Sequence, residues 1–329
     1  MRPTLATVAE AVGVSRMTVS NAFNRPDQLS PELRAKVLAK AHELGYSGPN
    51  PIARTLSRGR TGCIGVVLDA PLTLAFSDPA TVEMLHGVAS VCEERELGIT
   101  LVPRIAGKDA ELVKTALVDG FVVYCIGDRD PRLDAIVERR LPYALIDNPP
   151  GKADRQVNID DRGAARATAE HLLKLGHRRF GIALGWDEPE RHYAARERLA
   201  GWREALEAAG VSWHDVAVAF SPGYGRATGR SAGAELLDRA PRPTAILCVS
   251  DVVALGVLDA ARERGVEIPG RLSVAGFDDV PEAARAGLTT VHQPHADKGS
   301  AALRLLLDEP RGSVLLPAEL LPRSTTGPT

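Results

Sequence analysis

Residues 4–24, TLATVAEAVGVSRMTVSNAFN, read as two short helices joined by a tight turn. Thr4 can cap the first helix, its hydroxyl accepting from the open N–H groups of the first turn. Leu5, Val8, Ala9 and Val12 follow at helical spacing and make one apolar face. Gly13 permits a backbone conformation that a side chain disfavours. Val14 can pack inward. Ser15 can cap the second helix, which buries Val19 and Phe23 and leaves Arg16, Met17, Thr18, Ser20, Asn21 and Asn24 outside. This is the layout of a helix-turn-helix that lays its second helix in the DNA major groove. Periodicity alone favours the plainer alternative, a small helical bundle with an ordinary polar face.

Two further stretches decide between them. Ser30-Pro31-Glu32 starts a third helix with a cap, a proline at the first helical position and an acid against the positive helix end. Leu33, Val37, Ala41 and Leu44 continue an apolar face, and Gly45 can end it. The second stretch is the run from Tyr46 through Pro49, Pro51, Ala53 and Leu56 to Ser57. Together, VAEAVGVSRMTVSNAFN, LSPELRAKVLAKAHELGY and PNPIARTLSRGRTGCIGVVL resemble the lactose-repressor (LacI/GalR) family of bacterial transcription regulators. The match runs unbroken through headpiece, hinge and entry to the ligand domain. Charge agrees: residues 1–60 hold nine basic and four acidic side chains, net +5, and the remainder 31 basic and 38 acidic, net −7. A basic front end supplies phosphate attraction without sequence preference.

The chain has 329 residues, which implies two or three domains. At 44% hydrophobic and 25% charged it has the composition of a soluble globular protein. No apolar run is long enough to span a bilayer, and the N-terminus lacks the design of a secretion signal. Cys63, Cys92, Cys125 and Cys248 form no CxxC pair. They read as reduced residues of a cytoplasmic protein, and neither a metal nor a cofactor is expected.

From Gly62 the pattern becomes apolar strands alternating with helices. The strands are CIGVVL (63–68), ITLVP (99–103), 120–126 and YALID (143–147), with helices over 79–97, 109–118 and 131–140. After VNIDD (157–161) a second set follows. It has strands at 179–184, 216–220, 245–249 and 272–277, and helices at 162–175, 195–209, 225–239, 251–264 and 296–307. Such alternation predicts parallel sheets covered on both faces, here two lobes, each doubly wound. Ligands bind beyond the carboxyl ends of such strands, and two facing lobes make a cleft.

The second half also resembles the family, in HLLKLGHRRFGIAL, RLAGWREALEAAG, PTAILCVSDVVALGVLDAARERGVEIPGRLSVAGFDD and LTTVHQP. That core is itself like periplasmic sugar-binding proteins. The resemblance implies an α/β protein in three parts: a helix-turn-helix headpiece over 1–48, a hinge over 49–60 and a two-lobed body over 61–329. Lobe 1 would comprise about 61–160 and 291–320, and lobe 2 about 161–290 and 321–329. The segment from Pro103 to Gly120, on the lobe where this family dimerises, is shorter than the family's usual span.

By resemblance, Arg16, Met17 and Asn21 match base-reading positions. Arginine can fork to guanine, asparagine can pair with adenine, and methionine offers apolar contact to a thymine methyl. Thr18, Ser20 and Asn24 suit phosphate contacts that fix register. Leu56 matches the hinge residue that wedges into the minor groove, with small Ala53 permitting close approach. The effector positions are Asp69, Asp147, Arg198, Tyr224 and Asp251. Three carboxylates, an arginine and an aromatic ring suit a sugar or related polyol, and the fold also serves purines and nucleosides. Taken alone, Asp251 would read as a helix N-cap. Asp278 and Asp279 read as loop carboxylates supporting fold or lobe closure, and His177 as a helix-end residue interacting with the dipole. The partners implied are operator DNA, a small effector and a second copy of the chain. No heptad tail follows LLPRSTTGPT, which points to a dimer.

An enzyme and a transport protein are the competing classes. GYGRATG (223–229) departs by one residue from a dinucleotide fingerprint, and no acid follows where one is needed. Glu83 and His86 have ExxH spacing but occur once. A transport protein would carry an export signal and no headpiece.

Overall fold

The computed structural model describes residues 3–48, 59–185, 192–309 and 311–329. The hinge expectations for Ala53 and Leu56 lie outside the described residues. The chain forms two compact units, Met1–Thr61 and Gly62–Thr329.

The first unit consists of α1 (Leu5–Val12), α2 (Arg16–Asn24) and α3 (Pro31–Glu43), with a 3-10 turn over Pro26–Gln28. Thr4 and Thr7 form a reciprocal capping box, and Ser15 accepts from Thr18 N at 3.0 Å. Gly13 takes φ +75°, and its N–H donates to Ala9 O at 2.9 Å, which closes α1. Val8, Ala9, Val19, Ala22, Val37 and Ala41 form the core. Ala22, rather than Phe23, is the second fully buried residue of α2. Phe23 is half-buried, edge-on to Tyr46 with ring centroids 5.7 Å apart. A helix as short as α2 has room for only one large side chain between its neighbours, and the aromatic ring lies at the margin.

The second unit opens with β1 (Cys63–Leu68), α4 (Leu72–Ala75), α5 (Pro79–Glu94), β2 (Gly98–Val102), α6 (Asp109–Thr115), β3 (Gly120–Tyr124), α7 (Pro131–Glu138), β4 (Tyr143–Ile146) and β5 (Arg155–Ile159). It continues through α8 (Asp161–Lys174), β6 (Phe180–Leu184), α9 (Tyr193–Ala208), β7 (Ala217–Phe220), α10 (Arg226–Asp238), β8 (Ala245–Cys248), α11 (Asp251–Glu263), β9 (Ser273–Ala275) and α12 (Pro281–Arg285). It closes with β10 (Thr290–His292), α13 (His295–Asp308), β11 (Gly312–Leu316) and β12 (Glu319–Leu321). One sheet has the order β11-β5-β4-β3-β1-β2 and another β7-β6-β8-β9, with every pairing parallel. The β10–β12 ribbon is antiparallel. The body is therefore two-lobed α/β, and its central strands are buried continuous apolar runs such as Val66-Val67-Leu68 and Ala245–Cys248. The short elements α4, α12 and β10 to β12 are not expected from the sequence, because they lack the long apolar runs that mark the buried strands and the several turns that mark an amphipathic helix.

His177 is not a dipole partner. It is buried after α8, with Nδ1 3.0 Å from Thr244 Oγ1 and Nε2 3.0 Å from Ser273 Oγ and 3.1 Å from Gly327 O. Burial lowers its pKa, so the neutral ring ties the ends of α8, β8 and β9 to the chain's last residues.

Helices α5 and α13 cover one face of the first sheet at very close range. A Cβ added at Gly87 would lie 1.8 Å from Ala296 O, and one at Gly299 2.1 Å from Met84 O. Gly87→Ala is expected to cost about 1–3 kcal/mol through overpacking. A urea midpoint equal to that of the wild type would show that the two backbones have room to part.

Candidate DNA interface and effector cleft

On the headpiece, Arg16 and Met17 occupy the first turn of α2 and point to solvent, Met17 being 68% exposed. Asn21 is half-buried, and its Nδ2 donates to Gln28 Oε1 at 3.1 Å. The three residues expected to hold phosphates are half-buried and engaged locally. Thr18 Oγ1 lies 2.9 Å from the capping Ser15 Oγ, and Asn24 Nδ2 donates to Ser20 Oγ at 3.3 Å. Asn24 Oδ1 is buried with no partner among the described residues. Gln28 and Arg34 escaped the sequence reading. Arg34 Nε donates to Ala22 O at 3.4 Å and fastens α3 to α2.

The body holds a cavity of about 290 Å³ lined by Leu68, Asp69, Leu74, Asp78, Arg104, Tyr124, Cys125, His192 and Tyr224. A second chamber of about 70 Å³ shares Asp78, Tyr124, Cys125, His192 and Tyr224 and adds Asp147, Arg198, Val249, Asp278 and Gln293. The walls come from the carboxyl ends of β1, β3 and β4 in one lobe and of β8 and β9 in the other, together with α9. Four expected residues thus meet at one cleft: Asp69, Asp147, Arg198 and Tyr224.

Each charge has a partner in the chain. Asp69 Oδ1 accepts from Arg132 Nη2 at 2.5 Å. Arg132 is fully buried and also donates to both oxygens of Asp130 and to Leu68 O. Burial alone would weaken the Arg132 charge, but Asp130 and Asp69 outweigh it and raise its pKa. From the opposite lobe, His192 Nε2 lies 3.4 Å from Asp69 Oδ2, and Arg196 Nη1 donates to Asp128 Oδ2 at 2.8 Å. Asp147, held at φ +55°, accepts from Lys298 Nζ at 2.7 and 2.8 Å. Lys298 Nζ also donates to Gln293 Oε1 at 2.5 Å, and Gln293 Nε2 to Asp278 Oδ1 at 2.5 Å. Asp278 Oδ1 lies 3.8 Å from Arg198 Nη1. Arg198 completes the chain through Asp161 Oδ1 at 2.8 Å and Val249 O at 2.7 Å, its guanidinium 3.7 Å above the Phe277 ring. Burial opposes its charge, yet Asp161 and Asp278 hold its pKa above the ordinary value.

Asp78, unlike these, makes no ion pair among the described residues, though a buried oxygen without a partner is also found on Asp128 and Asp161. Asp78 Oδ2 caps α5 by accepting from Thr81 N and Oγ1, and its Oδ1 is buried with no partner among the described residues. Burial raises its pKa and raises those of the Tyr124 and Tyr224 hydroxyls and the Cys125 thiol, so these three remain protonated.

Asp251 does not line the cleft, which corrects its reading as an effector ligand. It is fully buried at the first position of α11, behind the N-cap residue Ser250. Its Oδ1 accepts from Thr290 Oγ1 at 2.6 Å and its Oδ2 from Val280 N at 3.0 Å, so it staples α11 to the crossing strand. Asp278, read as a loop carboxylate supporting fold or lobe closure, joins the polar chain between the lobes and also lines the inner chamber. Lys298, Asp161, Gln293 and Arg132 were also missed. Asp161 follows Asp160 directly, and Asp160 caps α8, leaving its neighbour to turn inward to Arg198. Lys298 reads as one more charge in a polar helix start.

Residues 4–50 match the family model for bacterial regulatory proteins, lacI family, and residues 169–326 that for the periplasmic binding protein-like domain. An HTH-type transcriptional regulator of Mycobacterium tuberculosis is 43% identical over 350 residues, covering 99% of this chain and 98% of the relative. A solved complex of the transcriptional regulator CelR with cellobiose is 32% identical, with a TM-score of 0.72 over 98% of this chain and 100% of that one. The lac repressor dimer bound to operator and an anti-inducer is 26% identical, with a TM-score of 0.79 over 99% and 100%. The chain belongs to the LacI family of bacterial regulatory proteins. It is a DNA-binding transcriptional regulator, and its relatives are regulators rather than enzymes.

Two measurements probe the site's electrostatics. Lys298→Met keeps the side chain's length and strands Asp147 without its cation, at an expected cost of about 3–5 kcal/mol. Adding Asp147→Asn should recover much of that loss in urea melts, and a double variant no better than the single one would contradict the pairing. Burial, then the charge of Asp278, pushes the pKa of Asp251 up to about 7. The folded state then holds a proton that the unfolded chain has released above about pH 4. Stability should fall as pH rises from about 4 to about 7, and the fall should be shallower in Asp251→Asn.

Proposed function

We propose that this regulator is a cytoplasmic repressor without turnover of its own. In this reading it binds a pseudo-palindromic operator as a dimer and is controlled by a neutral polyol, most simply a sugar, in the inter-lobe cleft. The observation that carries the ligand reading is the charge state of the cleft. Asp69, Asp147 and Arg198 are already paired with residues of the chain, while Asp78 keeps one buried oxygen uncommitted in a cavity that Tyr124 and Tyr224 also line. An uncommitted carboxylate oxygen accepts from a hydroxyl, and the Tyr124 and Tyr224 rings offer apolar faces to a sugar's C–H surface. The cellobiose in the CelR complex supports the same class.

On the DNA side, Arg16, Met17 and Asn21 are assigned base reading, and Thr18, Ser20 and Asn24 phosphate contacts made by exchanging their local hydrogen bonds. The lac repressor dimer on its operator supports the two-fold arrangement. The effector acts by binding one lobe arrangement better than the other, with DNA affinity following that equilibrium.

Selection of bound duplexes from a random pool with the full-length protein should yield a two-fold symmetric site. Failure to recover one, with and without a metabolite mixture, would refute the operator reading. On that site Arg16→Ala is expected to cost about 1–3 kcal/mol at one base position while weakening other positions little. Sugars can then be screened for release or tightening. Asp78→Ala should bind operator normally and lose the sugar response about tenfold or more, and an unchanged response would remove Asp78 from the ligand site.

A further inference from the structure

The cleft uses the carboxyl ends of the second lobe's strands. At their amino ends lies a separate hollow of about 500 Å³, lined by Arg179, Arg239, Arg242 and Arg271 against Pro243 and Pro269. Arg179 directly precedes β6, and Arg271 lies two residues before β9. No Asp or Glu lines the hollow, and Thr329, which bears the terminal carboxylate, does. Arg239 is compensated by Glu235 at 2.6 Å and donates to Val218 O at 3.0 Å. The other three make no ion pair within 4.0 Å among the described residues, although Arg242 also feels the charge of Asp238, whose carboxyl it helps to hold below the ordinary value. Two of them are nonetheless held in place. Arg179 Nε donates to Arg242 O at 3.2 Å, and Arg242 Nε donates to Leu237 O at 2.8 Å. These bonds fix the guanidinium roots and leave the terminal nitrogens for a ligand.

We propose that this hollow is a second ligand site, for a compact multivalent phosphate anion such as a pyrophosphoryl group. Three guanidinium groups without an ion-pair partner line one concavity, and an anion seated there is attracted by all three. Guanidinium forks match phosphate oxygens bidentately, which a single-point ammonium cannot do. Anchored roots and proline walls reduce the side-chain freedom lost on binding. The acidic body has no general attraction for anions, so affinity here must come from this local set of charges.

The test is isothermal titration of the full-length protein with inorganic pyrophosphate in physiological salt. It compares the wild type with Arg179→Ala/Arg271→Ala and with Arg16→Ala, which removes a cation from the headpiece. Both residues of the double variant are exposed, and its operator binding serves as the check that it is folded. Saturable binding by the wild type, weakened about tenfold or more in the double variant and unchanged in Arg16→Ala, is the expected result. Absence of saturable binding by the wild type would overturn the proposal. So would retained affinity in the double variant, or loss in Arg16→Ala alone, which would assign the anion to the DNA-binding face.

Discussion

The body depends on one buried polar chain, Asp147–Lys298–Gln293–Asp278–Arg198–Asp161, that crosses from the first lobe to the second. Burying charges is costly unless each finds a partner, and here every cation meets a carboxylate. A network of this kind tolerates few arrangements, because shifting one lobe by an ångström would leave several groups unpaired at once. It therefore fixes where the lobes meet far more sharply than apolar contact could. His192 against Asp69 and Arg196 against Asp128 add bridges nearer the mouth of the cleft.

The same arrangement shapes what the cleft can recognise. Its charges stabilise one another, so they present a polar lining with little unbalanced charge to a ligand. Hydroxyl-rich neutral molecules suit such a lining, and a strongly anionic one would have to compete with Asp161 and Asp278 for Arg198. A ligand that exchanges hydrogen bonds with members of the chain acts directly on the element joining the lobes. That is a physical route from occupancy to lobe geometry.

Much of this was legible in sequence where the signal is local and repeated. The caps Thr4, Ser15 and Ser30, the left-handed Gly13 and the apolar faces of α1 and α3 are set by neighbours within four residues. The β1, β3 and β8 runs are apolar enough to read as buried strands. The cleft was legible only in part, since Asp69, Asp147, Arg198 and Tyr224 came from resemblance and Asp78, His192 and Lys298 had no signature at all. Asp251 shows why. A carboxylate at a helix start looks the same in sequence whether it faces a ligand or, as here, Thr290 and Val280 across a strand crossing.

Periodicity, capping and charge act over a few residues, so the order of helices and strands, the basic headpiece and the two-lobed parallel architecture are all written locally in the chain. Which polar groups are spent on one another and which remain for a ligand is settled by packing between distant segments. Lys298 and Asp147 are 151 positions apart and meet only when the chain, having left the first lobe for the second, returns to the first. Pairing of buried charges depends on distance in space, and nothing in the local sequence of either residue encodes it.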